Sequence, residues 1–335
     1  MVKGPAVAVG AVLAALVLAA CTQPAAGPAA GPAAASAASS STSTSPEVVT
    51  SSPAPSPSSG RTFFADPYQQ TILDNATSPG DRALLAPIAD TPTAIWLTGG
   101  EWDAATLDRV VTGAAAAGQT AVVVLYNIPN RDCGNYSAGG ATVDGYLPWV
   151  RQIDAQLRGD VWVVLEPDAL SGATCGDVAQ RYRLLHDAGV ILRGSGHRVY
   201  LDGGHSHWLA PADLADRLHQ VGADAFDGIS LNVSNFETTT DNVAYAHEVS
   251  AAFGAPLHVV VDTSRNGNGP TPDHQWCNPP GRALGEPPRV VGDGTLDAVL
   301  WIKTPGRSDG TCAGGPPAGA FWLSYALELA RNAHG

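Results

Sequence analysis

The chain has 335 residues, 44% of them hydrophobic and 15% charged, enough apolar side chain to bury a large core in one or two domains. Its 31 acidic and 18 basic residues give a formal charge of −13 at pH 7, with no basic stripe to offset the excess. That balance excludes nucleic acid or any other partner held mainly by phosphate contacts, and favours a neutral or cationic ligand.

In chain order, Lys3 leads into an apolar stretch that ends LVLAAC at residues 16–21. This is the pattern of a secretory signal, too short and wrongly flanked for an ordinary spanning helix. The Leu-Ala-Ala-Cys ending resembles a bacterial lipobox, so residues 1–21 are expected to be a signal peptide with Cys21 as the lipidated first residue of the mature protein. The expected location is extracytoplasmic, as an envelope lipoprotein or a secreted protein, and a lipid on Cys21 is the only membrane contact foreseen. Residues 22–61 are almost only Ala, Pro, Gly, Ser and Thr, a composition that cannot offset its ordering entropy and reads as a flexible stalk. The folded domain is expected over residues 62–335.

Seven β-rich runs follow: AIWL (94–97), AVVVLY (121–126), VWVVL (161–165), VYLD (199–202), ISLN (229–232), LHVVVD (257–262) and AVLWIK (298–303). Amphipathic, alanine-rich segments of helical length stand between most of them, over 103–117, 144–157, 177–192 and 211–221. Alternating strands and helices predict a parallel sheet. Because the strands are apolar on both faces, both sides of the sheet must be covered. A single TIM-like β/α barrel is the economical α/β solution, and an open doubly wound sheet is the alternative. Cys133, Cys175, Cys277 and Cys312 form an even set suited to two disulfides in an oxidising compartment. Three pairings are possible; Cys133 with Cys175 and Cys277 with Cys312 is favoured because each ties neighbouring loops of one face. No two stand at C-x-x-C spacing, so no metal site is expected from them.

Polar residues gather where the strands end: Tyr126 and Asp132, Glu166 and Asp168, Asp202 and His205, Asn232, Asp262, and Lys303 with Asp309. In barrels that end holds the active site. Any one of these residues alone reads equally well as a helix cap, but the same pattern at six of seven strands points to a site. The segment 263–295 is long, rich in Gly and Pro and without helical period, so it is a candidate ligand loop. There is no P-loop, no G-x-G-x-x-G after a strand and no G-x-S-x-G elbow. Paired carboxylates whose environments separate their pKa values do acid and base work, and glycoside hydrolysis is the common demand for such a pair. Trp96, Trp102, Trp208, Trp276, Trp301 and Trp322 could stack on sugar rings; Trp208 and Trp276, in loops, fit that role best, whereas Trp149 and Trp162 read as structural. Asp202, His205 and His207 could instead be ligands of a metal-dependent hydrolase.

The stretches YNIPNRDCGNYSAGG and VVLEPDAL resemble the two signature motifs of glycoside hydrolase family 6, the inverting cellulases that cut β-1,4-glucan. YLDGGHSHW, NVSN, DTSRNGNG, WCNPPGRALG and WIKTPGRSDG continue the resemblance in order. It implies a distorted barrel of seven parallel strands, no cofactor, and cellulose or cello-oligosaccharides as substrate of a monomeric enzyme. It also implies Asp168 as general acid, Asp132 as the charge that supports it and is linked through water to the nucleophile, Asp309 as the disputed base, and Asp202 as an aspartate that shapes the site. Tyr126 would press the sugar ring into a distorted shape. His205, Trp208, Asn232 and Lys303 would match substrate contacts, and Trp96 and Trp276 are expected to contact substrate as stacking faces. Two departures from the family pattern stand out. Arg307 replaces a glutamate two residues before Asp309 and is expected to lower its pKa if the side chains approach, and Ala138 stands where a water-holding serine is expected, one residue after Ser137. The compact segment before Phe321 suggests endo action on an open cleft. No cellulose-binding module is visible, which favours soluble or amorphous glucan. A glucan-binding protein that has lost catalysis is the reading from another class.

Overall fold

Strands form where the branched apolar runs stand. The computed structural model describes residues 57 and 60–333, so the expected signal peptide, Cys21 and nearly all of the expected stalk lie outside the described residues. Its strands are β1 (Ile95–Leu97), β2 (Ala121–Leu125), β3 (Val161–Leu165), β4 (Arg198–Asp202), β5 (Gly228–Leu231), β6 (His258–Asp262), β7 (Arg289–Val290) and β8 (Leu296–Leu300). All except β7 lie on the seven expected runs. The strand that sequence missed is two residues long and carries an exposed arginine, so no apolar run announces it. Helices α2 (Asp103–Ala117) and α5 (Pro211–Val221) keep the expected bounds, and α3 (Val143–Asp154) and α4 (Val178–Gly194) shift by a few residues. They are joined by α1 (Pro79–Asp90), α6 (Thr239–Phe253) and α7 (Leu323–Asn332).

The strand order is β1-β2-β3-β4-β5-β6-β8-β7, with every pairing parallel except that of β7 with β8. Instead of a ladder between β1 and β8, the Ala94 N–H donates to the Trp301 carbonyl (2.9 Å) and the Trp96 indole N–H to the Ile302 carbonyl (2.9 Å). The sheet is therefore a distorted barrel with a loosely held seam, not an open doubly wound sheet.

Period 2 along the strands sorts the core into two layers. Val122, Val124, Trp162, Val164, Tyr200, Val260, Ala298 and Leu300 pack together inside the barrel. Val123, Leu125, Val163, Leu165, Val199, Leu201, Val259 and Val261 face the helices. A third cluster joins Leu85 and Ile88 of α1 and Leu329 of α7 to Trp301, covering the seam. Near the strand starts, buried Asp297 accepts from the Tyr200 hydroxyl (2.7 Å) and from Arg198 (3.1 Å). The inward series continues upward into polar residues: Val122 and Val124 lead to Tyr126, Tyr200 to Asp202, and Val260 to Asp262. The same pleat that fills the barrel thus aims these groups at its mouth.

Helix caps come from other residues. Ser78, Thr142, Asp177 and Thr238 cap α1, α3, α4 and α6 by accepting from N–H groups of the first turn. None of Asp132, Asp168, Asp202, Asp262 and Asp309 serves as a helix N-cap among the described residues, which removes the bland reading of the strand-end aspartates.

Trp162 is 1% exposed and packs edge-on against Phe63 (5.3 Å) and beside Tyr200 (5.4 Å) at the barrel axis. Trp162→Ala is expected to destabilise the domain by about 3–5 kcal/mol in urea melts.

Candidate active site

A cleft of about 670 Å³ opens at the strand ends. Trp96, Tyr126, Asp132, Ser137, Asp168, His205, Trp208, Trp276, Lys303 and Asp309 line it. The disulfides pair Cys133 with Cys175 and Cys277 with Cys312, the favoured combination.

The loop that carries Asp132 is tied down at several points. Arg131 donates to the Tyr126 carbonyl (2.6 Å) and the Ser137 carbonyl (2.8 Å), and its residue bridges to Gly139. Gly140, at φ 100°, lets the loop close, since a Cβ there would stand 1.9 Å from the Ile128 carbonyl oxygen. Asp132 and Cys133 both have positive φ, 57° and 49°, a conformation with a cost of about 1–3 kcal/mol each that neighbouring constraints must hold. The Ser137 N–H donates to Asp132 Oδ2 (2.7 Å). Burial raises the pKa of Asp132 despite that hydrogen bond and the Arg131 charge. At the far side, the Tyr136 ring packs on Gly310 and lies 6.1 Å from Trp276, so this loop meets the loops that follow β6 and β8.

Asp168 follows β3 in a strained turn, at φ 67°. Asp202 Oδ1 accepts the Asp168 N–H (3.0 Å) and the Gly204 N–H (3.1 Å), while Oδ2 accepts from Ser230 (3.2 Å). Burial, with the charges of Asp132 and Asp309, lifts the Asp168 carboxyl to about 7 against the pull of Lys303. Asp309 has the opposite fate. It meets Arg265 (2.9 Å) and Lys303 (3.1 Å) and accepts the Asn278 N–H (3.1 Å). Burial alone would raise its pKa, but the Arg265 and Lys303 charges outweigh it and hold the group below the ordinary carboxylate range. One cleft therefore holds a carboxyl that keeps its proton to near neutrality and another that stays ionised, the separation acid–base chemistry needs.

Several expectations change. Arg307 does not approach Asp309; its guanidinium donates to the Gly319 carbonyl (2.7 Å). The cation that lowers Asp309 is Arg265, which sequence reading passed over although it stands inside the DTSRNGNG stretch. Ser137, not Ala138, lines the cleft. Asn232 is fully buried: its amide N–H groups go to the Glu237 and Asp262 carbonyls, and it shapes the turn before Ser234 instead of facing the cleft. Asp202 is likewise buried beneath the cleft and spent on main-chain N–H groups. It does not converge with His205 and His207, and among the described residues no three His, Cys, Asp or Glu side chains group as metal ligands. His207 instead stacks on His274 at 3.5 Å. His205 is pushed down to about 4 by burial and by these two neighbours, which leaves it a neutral imidazole. Trp208 and Trp276 are 39% and 46% exposed at the cleft, while Trp162 and Trp301 are core.

The sequence profile of the glycosyl hydrolases family 6 matches residues 58–333. The chain belongs to that family. Endoglucanase A of Cellulomonas fimi is 46% identical over 287 residues, 83% of this chain and 62% of that protein. The chain thus spans less than two thirds of that relative's length. Endoglucanase 1 of a Streptomyces species (strain KSM-9) is 46% identical over 76% of this chain and 74% of its own. The endoglucanase Cel6 of Mycobacterium tuberculosis, solved with methyl-cellobiosyl-4-deoxy-4-thio-β-D-cellobioside, is 41% identical with a TM-score of 0.76, covering 82% of this chain and 98% of that one. Family 6 membership accords with the barrel and the aspartate-lined cleft.

Arg265 is fully buried, and its removal leaves Asp309 with one cation fewer. Arg265→Ala is expected to cost about 3–5 kcal/mol. A carboxylate with depressed pKa stabilises the fold above its unfolded value and loses that contribution as pH falls through its folded value. Denaturant melts across pH should therefore show the acid loss of stability setting in at higher pH in Arg265→Ala than in the parent.

Proposed function

We propose that the protein is an extracytoplasmic endo-β-1,4-glucanase that hydrolyses cellulose-type chains with inversion at the anomeric carbon. The observation that carries this reading is the pair of opposite pKa displacements at Asp168 and Asp309 within one tryptophan-lined cleft. The endoglucanase relatives support β-1,4-glucan as substrate, and two disulfides suit an oxidising compartment. Attachment through a lipid on Cys21 belongs to the same proposal.

Asp168 acts as general acid: its proton passes to the glycosidic oxygen as the bond to the anomeric carbon breaks. Water attacks from the opposite face of the sugar. Ser137 and Asp132, joined through the Ser137 N–H, orient that water, and the proton it loses as it bonds to the anomeric carbon passes through a second water to Asp132. Asp309 is a weak base, because Arg265 and Lys303 stabilise its anion; it adds only to the field, set mainly by Asp132, that helps burial keep the proton on Asp168. Tyr126, held edge-on to Trp96 at 5.3 Å and under the Arg131 guanidinium at 4.8 Å, is a rigid wall against which the sugar ring distorts. Trp96, Trp208 and Trp276 supply stacking faces, Lys303 and neutral His205 polar contacts to hydroxyls.

Viscometry and reducing-end assays on a soluble cellulose derivative test the function. Viscosity should fall early while few reducing ends have formed, and Asp168→Asn should lower kcat by about 10²–10⁴-fold. Because the acid works protonated, kcat/KM should fall as pH rises through about 7. Saturable binding without turnover by the parent enzyme would establish a glucan-binding protein instead. At the loop, Ser137→Ala is expected to slow turnover by at least about tenfold, and Ala138→Ser to leave it unchanged, if the cleft-lining hydroxyl orients the water.

A further inference from the structure

Glu166 is a fully buried carboxylate, two residues before Asp168, to which the mechanism above gives no role. Its backbone sits at φ 51°, so strand β3 breaks at this residue and Asp168, at φ 67°, completes the turn. Its side chain reaches back to the end of β2. Both oxygens accept the Asn127 N–H (3.0 and 2.9 Å), and Oε2 also accepts the Ile128 N–H (3.0 Å). Those amides open the loop that carries Asp132. Further along the same loop, Arg181 donates to the Asn130 carbonyl (3.2 Å), and the disulfide from Cys133 ends at Cys175. The Glu166 carboxylate is thus the fastening nearest the Asp168 turn between that turn and the Asp132 loop.

We propose that Glu166 is a positioning residue that locks the Asp168 turn to the root of the Asp132 loop and so fixes how closely the two carboxyls approach. The inference rests on the glucanase reading for its meaning, though not for its test. The approach of Asp132 is one cause of the raised Asp168 pKa, so loosening the loop must show in the titration of Asp168. The groups facing Glu166 itself are Arg131 and Arg181, both cationic, and the buried Tyr146 phenol, yet burial outweighs them and raises its carboxyl to about 7. Glutamine at 166 would keep the shape and, with its carbonyl at the Oε2 position, could still accept both N–H groups, but it removes the charge and sets an NH₂ against the Asn127 N–H that Oε1 now shares.

The test is a ¹³C carboxyl NMR titration of the whole enzyme, with the Asp168 resonance identified by its loss in Asp168→Asn. In Glu166→Gln, Asp168 should titrate below the parent's value, by the part of the shift that the Asp132 charge supplies while burial remains. The basic limb of kcat/KM should move with it, and kcat should fall at least about tenfold with KM nearly unchanged. An unchanged Asp168 titration in folded Glu166→Gln overturns the proposal, whatever happens to its melting temperature. If that variant does not fold, Glu166→Asp carries the same readout, since its shorter side chain keeps the carboxyl but cannot meet both amides. A parent enzyme that titrates as described yet cleaves no glucan would refute the glucanase reading and leave the positioning role standing.

Discussion

A carboxyl group can keep its proton near neutral pH only if water is kept from it and negative charge is kept near it. Asp168, half-buried in the cleft wall with the Asp132 and Asp309 charges near it, approaches both conditions, and much of the surrounding structure serves them. Asp132 and Asp309 contribute the negative field, yet three mutually close carboxylates would repel one another if nothing balanced them. The balance is local: Arg265 and Lys303 neutralise Asp309 directly, and Asp202 spends its oxygens on the main chain of the Asp168 turn and on Ser230.

Placing carboxylates this way requires backbone that ordinary residues avoid. Asp132, Cys133, Glu166, Asp168, Asn232 and Ser234 all adopt positive φ, and all lie on the loops that leave β2, β3 and β5. Such conformations persist only where neighbouring contacts hold them. Here the contacts are the disulfide that ties the Cys133 loop to the Cys175 loop, and the Arg131 staple, the Glu166 carboxyl and the Asn232 amide, each fastening a loop to main chain. The barrel gives those fastenings a rigid base, because its interior is filled by Val, Trp and Tyr side chains from alternate positions of the same strands. The weak point is the β1–β8 seam, which is covered from outside by α1, α7 and Trp301.

Most of the fold was legible in the sequence because buried parallel strands are written as continuous apolar runs, and seven of the eight strands stand on one. Strand β7 was not, since two residues held by pairing with β8 carry no pattern of their own. The cleft was legible for a related reason: a polar residue that ends an apolar run has to emerge at the strand's end, which located Tyr126, Asp168, Asp202 and Asp309. What sequence could not give was direction within the loops. Asn232 ends a strand as the cleft-lining residues do, but its side chain turns into the main chain. Arg307 stands two residues from Asp309 and never meets it, whereas Arg265 stands 44 residues away and does. Likewise Ser137 and Ala138 differ by one position, and only the closure of the loop at Gly140 decides which of them faces the cleft.

The central claim is that Asp168 protonates a glycosidic bond while water attacks from the other face. It is tested most directly by following the anomeric protons of new reducing ends by NMR during the first minutes of cello-oligosaccharide hydrolysis. The account predicts the α-anomer first, with the β-anomer arriving only by mutarotation. An initial β-anomer would show retention, require a covalent intermediate on a nucleophilic carboxylate, and contradict the roles assigned to Asp168, Asp132 and Asp309.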